Sequence, residues 1–366
     1  MPKIFFDHQK FTTQKFGGIS RYFANIINAI KQNPEFEYLL GVANSKNYYI
    51  KDEKQILNTA LADFFLKSEY GFRTFKLNEL YCKHLLNQNN FDIFHPTYYE
   101  PYFINKLKKP MVTTIHDMTH ERLPQYFWVK DPLTSYKRIN ADRADKIIAI
   151  SETTKRDLLT YLPVDEKKVE VIYHGIDLET PLFFEEIKNL PKNYLLFIGD
   201  RGGYKNFYLL LDAFAEISKK NSDIQLVLSG GGNLEGADVE IINRLKLNDK
   251  VRHFNVSDGQ LNHLYKNALL FIYPSLYEGF GLPILEAFKA QCPVLLSKTD
   301  CFEEIANEAA AFFSPFDLED LIFQIEKLIG DSELRKQLID KGNIRLMDFP
   351  LQKSMDKTLA LYKTLA

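Results

Sequence analysis

The chain alternates short apolar runs with amphipathic segments almost from end to end. Runs such as FDIFH (from Phe91) and LLFIYPS (from Leu269) are nearly continuously apolar, as strands are when helices cover both faces of a parallel sheet. Residues 18–31 and 206–219 instead place apolar side chains at spacings of three and four, which is typical of a helix with one buried face. Strands that alternate with helices of this length predict a doubly wound α/β fold.

The predicted strands fall into two sets, and 366 residues suffice for about two domains. Residues 179–191 form an acidic and aromatic connector with a proline near each end. We therefore predict Rossmann-like domains at 1–180 and 192–349, with residues 350–366 forming a last helix. The predicted strands begin at Lys3, Glu37, Phe91, Met111, Lys146 and Val169, and then at Tyr194, Ile224, Val251, Leu269 and Pro293.

The composition narrows the class of protein. A net charge of -2 gives no reason to expect a nucleic acid as partner. The three cysteines have neither metal-site spacing nor the even number of a disulfide framework, so we expect a reducing cytoplasm. We find no signal-peptide core and no run long enough to span a bilayer. A small basic excess in the first half leaves peripheral contact with the inner membrane open.

The strongest motif is EGFGLPILE, residues 278–286, which follows a predicted strand. Pro283 suits the first turn of a helix, so Glu278 lies on a strand-to-helix loop and Glu286 about one turn into the helix. The glycines allow close approach of a ligand, and the helix start offers N–H groups to a phosphate. Carboxylates do not bind phosphate, so we assign Glu278 to a sugar and Glu286 to a nucleotide ribose.

Two further loops close strands of the second domain. The loop GDRGGYKN, residues 199–206, brings Arg201 and Lys205 to the carboxyl end of the sheet, where ligands of open α/β folds bind. Arginine offers a fork to phosphate and lysine a point charge. The loop SGGG, residues 229–232, either shapes the nucleotide crevice or is a plain turn.

Three features of the first domain are candidates for ligand contacts. Gly17 and Gly18 open a helix and could offer backbone N–H groups to phosphate. His116 ends a strand and could hydrogen-bond a substrate hydroxyl. Tyr98 and Tyr99 follow another strand end, and aromatic faces suit sugar rings, so we predict acceptor contacts there.

Taken together, these motifs resemble the retaining glycosyltransferases of family 4, which have the GT-B fold of two Rossmann-like domains facing across a cleft. EGFGLPILE resembles their Glu-x7-Glu motif. GDRGGYKNF resembles their phosphate loop in a variant seen among bacterial polysaccharide and O-antigen transferases. GGISRY, TIHDMTHE, RADKIIAISETTKRDL and VIYHGID follow in the family's order, so the resemblance covers nearly the whole chain. The segment KTDCFEE (from Lys298) departs from the Ser-Pro-Glu pattern of many relatives.

The resemblance implies roles for individual residues. It implies that the first domain faces the acceptor, that the last helix packs back on it, and that the second domain binds the donor. Catalysis would involve Glu278, His116, Arg201 and Lys205. The donor and its nucleotide would contact Gly17, Gly18, Gly199, Arg201, Lys205, Asn206, Gly230, Phe280, Gly281, Leu282 and Glu286.

We therefore predict transfer of a hexose from a nucleotide-diphosphate sugar, with retained configuration and without a metal or other cofactor. The GYKN loop is similar to that of transferases using GDP-mannose or a GDP-deoxysugar, and a UDP-sugar stays an alternative. The family implies a growing glycan or lipid-linked oligosaccharide as acceptor at the cytoplasmic membrane face. Two other classes share these features, a GT-B sugar-nucleotide epimerase and a non-catalytic nucleotide-sugar-binding subunit.

Overall fold

The computed structural model describes residues 1–57 and 71–366, which divide into two compact α/β units. Unit 1 comprises Met1–His174 and Gln352–Ala366, and unit 2 comprises Gly175–Leu351. The last helix thus belongs to the same unit as the N-terminal half of the chain.

The predicted connector, residues 179–191, lies within unit 2. The ammonium group of Lys289 donates a hydrogen bond to the carbonyl of Thr180 at 2.8 Å, and Asn262 donates one to the carbonyl of Phe183 at 3.0 Å. These contacts fasten the connector to the second domain and leave no loose linker over these residues.

Unit 1 is built on parallel strands, each of which we predicted. β1 pairs with both β2 and β3, β5 pairs with both β4 and β6, and a bridge between Phe94 and Met111 links β3 to β4. The resulting order, β2-β1-β3-β4-β5-β6, is doubly wound with a reversal between β1 and β3. The strands are β1 (Lys3–Phe6), β2 (Glu37–Leu40), β3 (Ile93–His95), β4 (Val112–Ile115), β5 (Lys146–Ala149) and β6 (Val169–Val171).

Unit 2 has one parallel sheet in the order β9-β8-β7-β10-β11-β12. Here the order reverses between β7 and β10, which places the topological switch point between these two strands. The strands are β7 (Tyr194–Ile198), β8 (Gln225–Ser229), β9 (Val251–Phe254), β10 (Leu270–Tyr273), β11 (Val294–Ser297) and β12 (Ala311–Phe313). We did not predict β12, a short edge strand of three residues whose apolar run is too brief to stand out.

Helices connect the strands of both units, and those at Gly18–Gln32, Phe207–Lys220 and Leu351–Lys363 agree closely with the three segments that we predicted. In unit 1 the α-helices are Gln9–Thr13, Gly18–Gln32, Phe72–Gln88, Thr119–Arg122, Leu133–Arg143, Glu152–Tyr161 and Leu351–Lys363. In unit 2 they are Phe207–Lys220, Ala237–Arg244, Asp258–Asn267, Leu282–Lys289, Asp300–Ala306, Leu318–Gly330 and Ser332–Leu346.

Burial explains why these segments are helical. The helix Gly18–Gln32 buries Tyr22, Phe23, Ile26, Ile27 and Ile30, the residues that its periodicity marks as apolar. The helix Phe207–Lys220 buries Phe207, Leu210, Leu211, Phe214 and Ile217 in the core of unit 2, against side chains of β7 and β8.

The chain passes between the units at two points that lie side by side. Ile176 forms a parallel bridge with Pro350, and its amide donates to the carbonyl of Phe349 at 3.0 Å. A Cβ on Gly175 would lie 2.6 Å from the Cα of Leu351, so glycine is needed for the close approach of the two segments.

Candidate active site

The two strongest motifs of unit 2 meet at its topological switch point. The loop 199–206 follows β7 and the loop 274–281 follows β10, and these are the strands between which the order of the sheet reverses. The carboxyl ends of parallel strands at such a point form the usual ligand crevice of open α/β sheets. The fold therefore brings together side chains that lie more than seventy positions apart in sequence.

Lys205 and Glu278 face each other across this point. The Nζ of Lys205 lies 2.6 Å from Oε1 of Glu278, and their side chains are only 13% and 15% exposed. Burial alone would lower the pKa of Lys205, but the Glu278 carboxylate raises it well above its usual value. The lysine is thus a permanent cation, and the pair places one positive and one negative group at the centre of the crevice.

A buried tyrosine lies beside the glutamate of this pair. Tyr273, the last residue of β10, is 5% exposed, and the Nζ of Lys205 lies 5.9 Å from its ring centroid. Burial and the neighbouring Glu278 carboxylate both raise the pKa of Tyr273 well above its usual value, so its hydroxyl stays protonated. Glu278 therefore has the ammonium group of Lys205 as its hydrogen-bond partner and a neutral phenol as a neighbour.

The second glutamate of the motif, Glu286, also has a buried tyrosine as its neighbour. Glu286 lies in the helix Leu282–Lys289, about one turn from its start, as predicted. The hydroxyl of Tyr265, whose ring is fully buried, donates to Oε2 of Glu286 at 3.3 Å. The rings of Tyr265 and Tyr273 both pack against Phe271, at centroid distances of 5.3 and 5.6 Å.

The residues between the two glutamates turn the chain from strand into helix. Gly281 has φ +97°, a left-handed conformation that favours glycine, and Pro283 occupies the first turn of the helix. Phe280 is 3% exposed, and the thiol of Cys301 donates to its carbonyl at 3.3 Å. Leu282 is half-buried at the helix start. The segment KTDCFEE supplies the start of the helix Asp300–Ala306, and its Cys301 contacts the motif at Phe280.

Arg201, which we predicted to bind phosphate, contacts protein groups in the structure. Its guanidinium donates to the Asp238 carboxylate at 2.7 Å, and the residue is 8% exposed. It also donates to four consecutive carbonyls at 2.8 to 3.1 Å, those of Gly230, Gly231, Gly232 and Asn233. Arg201 therefore holds the glycine loop in place, with its donors directed at protein acceptors.

The glycine loop needs this brace because its backbone is unusual. Gly230, Gly231 and Gly232 have φ values of +83°, +67° and +73°, which non-glycine residues rarely adopt. A Cβ on Gly230 would lie 3.2 Å from the amide of Gly199, itself at φ +126°. The SGGG segment is thus more than a plain turn, since it packs directly on the loop that carries Lys205.

Asn206 has a structural role in the same loop. Its amide donates to the carbonyl of Pro315 at 2.8 Å, and its own φ of +55° starts the helix Phe207–Lys220. Among the residues that we assigned to donor binding in unit 2, Lys205 contacts Glu278 at the switch point, and Glu286 lies in the helix that follows the same loop.

His116 lies in unit 1 at the end of β4. Its backbone amide donates to the hydroxyl of Tyr99 at 2.9 Å, and its ring stacks on His174 at 6.1 Å. Burial lowers the pKa of His116 well below its usual value, and the neighbouring His174 lowers it further. The imidazole is therefore neutral, which suits a hydrogen bond to a hydroxyl better than an ion pair.

The two tyrosines that we predicted to contact the acceptor differ in exposure. Tyr99 is 1% exposed, so its ring is part of the core and offers no face to a sugar, which corrects that prediction. Tyr98 is half-buried, and the Nζ of Lys10 lies 3.4 Å from its ring centroid. Burial lowers the pKa of Lys10 to about 8.

Gly17 and Gly18 open the helix Gly18–Gln32, as predicted. The Gly17 carbonyl accepts hydrogen bonds from the Arg21 amide at 3.0 Å and the Ser20 hydroxyl at 3.1 Å. The side chain of Gln14 lies against Gly17, and its Oε1 accepts from the Ser20 amide at 3.2 Å. This side-chain cap fixes the turn and orients the start of the helix.

Sequence reasoning missed Lys137, whose side chain is fully buried in unit 1. Its Nζ lies 3.0 Å from Glu121 and 3.3 Å from Asp117, and it donates to the carbonyl of Asp117 at 2.9 Å. Burial alone would raise the pKa of Asp117, but Lys137 and the Thr119 amide hold it well below its usual range. The lysine thus anchors the loop that follows His116.

A chain of buried polar groups joins the last helix to the sheet of unit 1. The ring of His95 contacts the Tyr362 hydroxyl at 2.6 Å through Nδ1 and the Thr114 hydroxyl at 2.9 Å through Nε2. The hydroxyl of Tyr22 lies 3.3 Å from the same Thr114 oxygen. Through His95, the last helix is therefore connected to Thr114 on β4, the strand that His116 follows.

These buried histidines make unit 1 sensitive to acid. Burial lowers the pKa of His8 to about 4 and those of His95 and His174 to about 3, against 6.5 for an unperturbed imidazole. Between these values the unfolded chain binds protons that the folded chain does not, so stability is present above pH 6.5 and falls as pH drops towards 4. Each histidine contributes up to about 1.4 kcal/mol per pH unit.

We expect this loss to be confined to unit 1, since neither histidine of unit 2, His253 and His263, is buried. Hydrogen exchange at pH 7 and pH 5, corrected for intrinsic exchange rates, would compare the two units within one sample. Equal protection of unit 1 amides at both pH values would contradict the expectation.

Within residues 1–57 and 71–366, no three side chains among His, Cys, Asp and Glu are grouped so as to hold a metal ion. The helices of the same ranges include none with the length and apolarity needed to cross a bilayer.

Comparisons with known proteins agree with this architecture. Residues 16–180 match the family Glycosyltransferase Family 4, and residues 179–345 match Glycosyl transferases group 1. The O-antigen chain mannosyltransferase RfbU of Salmonella typhimurium is 28% identical over 214 residues, which is 58% of this chain and 58% of RfbU. The O-antigen chain mannosyltransferase B of Escherichia coli is 27% identical, over 75% of this chain and 74% of that protein.

Solved structures share the fold at low sequence identity. Sucrose-phosphate synthase from Thermosynechococcus elongatus superposes with a TM-score of 0.78 at 18% identity, over 100% of this chain and 99% of that one. Anabaena HepE, solved with UDP-glucose, gives a TM-score of 0.75 at 17% identity, over 99% of this chain and 100% of that one.

The two family matches together span residues 16–345, a range that includes Lys205, Glu278 and Glu286 of unit 2 and His116 of unit 1. The chain belongs to the family 4 glycosyltransferases, with the α/β architecture of the GT-B fold.

Proposed function

We propose that this glycosyltransferase moves a hexose from a nucleotide-diphosphate sugar to a growing glycan or lipid-linked oligosaccharide, with retention of the anomeric configuration. The observation that carries the proposal is the Lys205–Glu278 pair at the switch point of unit 2, with Glu286 one turn into the following helix. The cation would address a diphosphate, and the two carboxylates would address hydroxyl groups of a sugar and a ribose.

The chemistry follows from where charge develops. The bond between C1 of the sugar and the diphosphate oxygen breaks, and a bond from C1 to the acceptor hydroxyl forms on the same face. The acceptor proton passes to an oxygen of the departing diphosphate. Negative charge accumulates on that diphosphate, and Lys205 stabilises it from a largely buried position, where the interaction is strong. We propose that this cation lets the reaction proceed without a metal.

The carboxylates would recognise hydroxyl groups. Glu278 is held by Lys205 and would accept hydrogen bonds from the sugar, while Glu286 would accept them from the ribose. The neutral His116 of unit 1 would bind a sugar hydroxyl, and Gly18 would offer its amide to phosphate.

We propose GDP-mannose or a related GDP-hexose as the donor. The support is the GYKN loop and the similarity to two proteins named O-antigen chain mannosyltransferases, of which the matches span 58% and 74% of the length. Synthesis of a cell-surface polysaccharide is the corresponding setting. A lipid-linked acceptor would bring this enzyme to the cytoplasmic face of the inner membrane, as a peripheral protein.

The test is product analysis with labelled GDP-mannose, GDP-fucose, UDP-glucose and UDP-N-acetylglucosamine. We expect a glycoside with the donor's anomeric configuration, read by NMR, and turnover that persists after treatment with EDTA. An epimerised sugar nucleotide without a transfer product would support the epimerase alternative. Binding of nucleotide without turnover of any donor would support the non-catalytic subunit.

Two matched variants should separate recognition of the donor sugar from recognition of its nucleoside diphosphate. We expect Tyr273→Phe to lower kcat/KM about tenfold or more with little change in nucleoside diphosphate affinity, because it removes a polar hydroxyl next to the sugar-binding glutamate. Tyr265→Phe should weaken the binding of the free nucleoside diphosphate, since it removes the hydrogen bond that positions Glu286. Calorimetric titration with GDP and initial rates would show this split, and equal effects of the two variants on both readouts would contradict it.

A further inference from the structure

An exposed aromatic pair lies beside the glycine turn of unit 1. Phe16 and Tyr48 are 54% and 44% exposed, although their rings contact each other at 5.2 Å between centroids and 33° between planes. Contiguous exposed apolar surface is a feature of interaction sites, so two packed, exposed aromatic rings are a candidate for one. We call this pair, with the lysines that flank it, the aromatic shelf.

Hydrogen bonds between two loops hold the shelf in place. The amide of Tyr48 donates to the carbonyl of Lys15 at 2.9 Å, and the side chain of Asn47 donates to the carbonyl of Gln14 at 2.7 Å. Asn47 is 1% exposed, and its Oδ1 also accepts from the Tyr49 amide at 3.0 Å. The loop around Phe16 and the loop around Tyr48 are therefore joined into one surface that is formed without a ligand.

Positive charge lies at both ends of this surface. The Nζ of Lys15 is 5.5 Å from the ring centroid of Phe16, and the Nζ of Lys51 is 4.8 Å from that of Tyr48. Lys46, two residues before Tyr48, is also exposed. Across the part of the chain that the structure describes, no carboxylate lies within ion-pair distance of Lys15 or Lys51, so their charge is available to a ligand.

We propose that the aromatic shelf binds the acceptor, through a pyranose ring that carries an anionic group. The C–H face of a pyranose is apolar and covers an aromatic ring, while a phosphate or carboxylate on the sugar pairs with Lys15 or Lys51. The inference rests on the proposed function, because Phe16 directly precedes Gly17 and Gly18, where we place the donor phosphate. It replaces Tyr99, whose ring is buried, as the aromatic contact of the acceptor.

The anionic group has two chemical sources, a phosphate at the reducing end of a lipid-linked sugar or the carboxylate of a uronic acid. Three probes distinguish them: N-acetylglucosamine 1-phosphate, methyl glucuronoside and the neutral methyl glucoside. Saturation-transfer NMR and calorimetric titration would measure the binding of each to the full chain. We expect one anionic probe to bind at least tenfold more tightly than methyl glucoside.

The variants are Phe16→Ala with Tyr48→Ala, and separately Lys15→Gln with Lys51→Gln. We expect the aromatic double variant to weaken every probe that binds by tenfold or more, and the lysine double variant to abolish only the preference for the anionic probe. Trp128→Ala is the matched control, an aromatic side chain of the same unit that is 71% exposed, and it should bind as the unaltered protein does. A shared thermal midpoint would show that all variants are folded.

Unchanged binding of all probes by the aromatic double variant would overturn the proposal. So would a loss in that variant of binding to phosphatidylglycerol vesicles with sugar binding intact, since the shelf would then contact a membrane. Hydrolysis of the sugar nucleotide, with water as acceptor, tests the proposed function separately. Its persistence in the aromatic double variant would show that the donor site does not depend on the shelf.

Discussion

Replacing Lys205 by alanine should lower kcat by about 10²- to 10³-fold, the cost of removing one preorganised group that stabilises a developing anion. The Nζ of Lys205 lies 2.6 Å from Glu278 with both side chains largely buried, so its charge acts where solvent screens it little. Steady-state rates with the donor that the product analysis identifies would measure the effect.

The matched control is Lys220→Ala in the same unit. Lys220 forms an ion pair of the same length with Glu326, but its side chain is 68% exposed, so solvent screens it and no catalytic effect is expected. Turnover of Lys205→Ala within a few-fold of the unaltered enzyme would refute the assignment. Lys205→Arg should recover part of the rate, because it restores the charge with a different shape.

The same series separates Lys205 from Arg201. Arg201 braces Asp238 and the glycine loop, so Arg201→Ala should lower the thermal midpoint of unfolding as well as the rate, whereas Lys205→Ala should chiefly lower the rate. The two basic residues of one loop then differ in role, one acting on the ligand and the other on the protein.

The largest effect on stability should come from Lys137→Met. This lysine is fully buried, and its removal leaves Glu121, whose side chain is 3% exposed, and Asp117 without their counter-charge. Removing one partner of a buried ion pair typically costs about 3–5 kcal/mol, because the remaining charge has lost both water and its partner. Urea denaturation, followed by the hydrogen exchange of unit 1 amides, would measure the loss.

Lys155→Ala provides the comparison within unit 1. Lys155 pairs with Glu166 at 2.8 Å, but the glutamate side chain is 68% exposed, and surface pairs of this kind contribute about 0–1 kcal/mol. If both variants lose the same small amount, Lys137 does not anchor the loop after His116. A second variant, Lys137→Met with Glu121→Gln, should recover part of the loss by removing one of the orphaned charges.

Much of the fold could be predicted from sequence because local patterns carry it. Apolar runs marked the strands, three- and four-residue spacing marked the helices, and Gly281 with Pro283 marked the turn between them. The short edge strand Ala311–Phe313 escaped prediction, since three apolar residues are too few to distinguish a strand from a loop.

The candidate site was predicted less completely. The sequence indicated Glu278, Glu286 and Lys205 by their position after strands, and the sheet order brings these strand ends to one edge. It gave no sign that Tyr265 donates to Glu286 or that Tyr273 lies beside Glu278, because both tyrosines look like ordinary apolar positions of a helix and a strand.

By itself, then, the sequence determined the local features along the chain. These are the loops that end strands, the positions where glycine permits a tight turn, and the charged residues on those loops. Only the tertiary structure decided what each charge faces. Arg201 and Lys205 are four residues apart and both cationic, yet Arg201 donates to Asp238 and four carbonyls while Lys205 pairs with Glu278. Similarly, Tyr99 is buried while Phe16 and Tyr48 are exposed. Charge and aromatic character are properties of one residue, but partners and burial arise from segments that folding brings together.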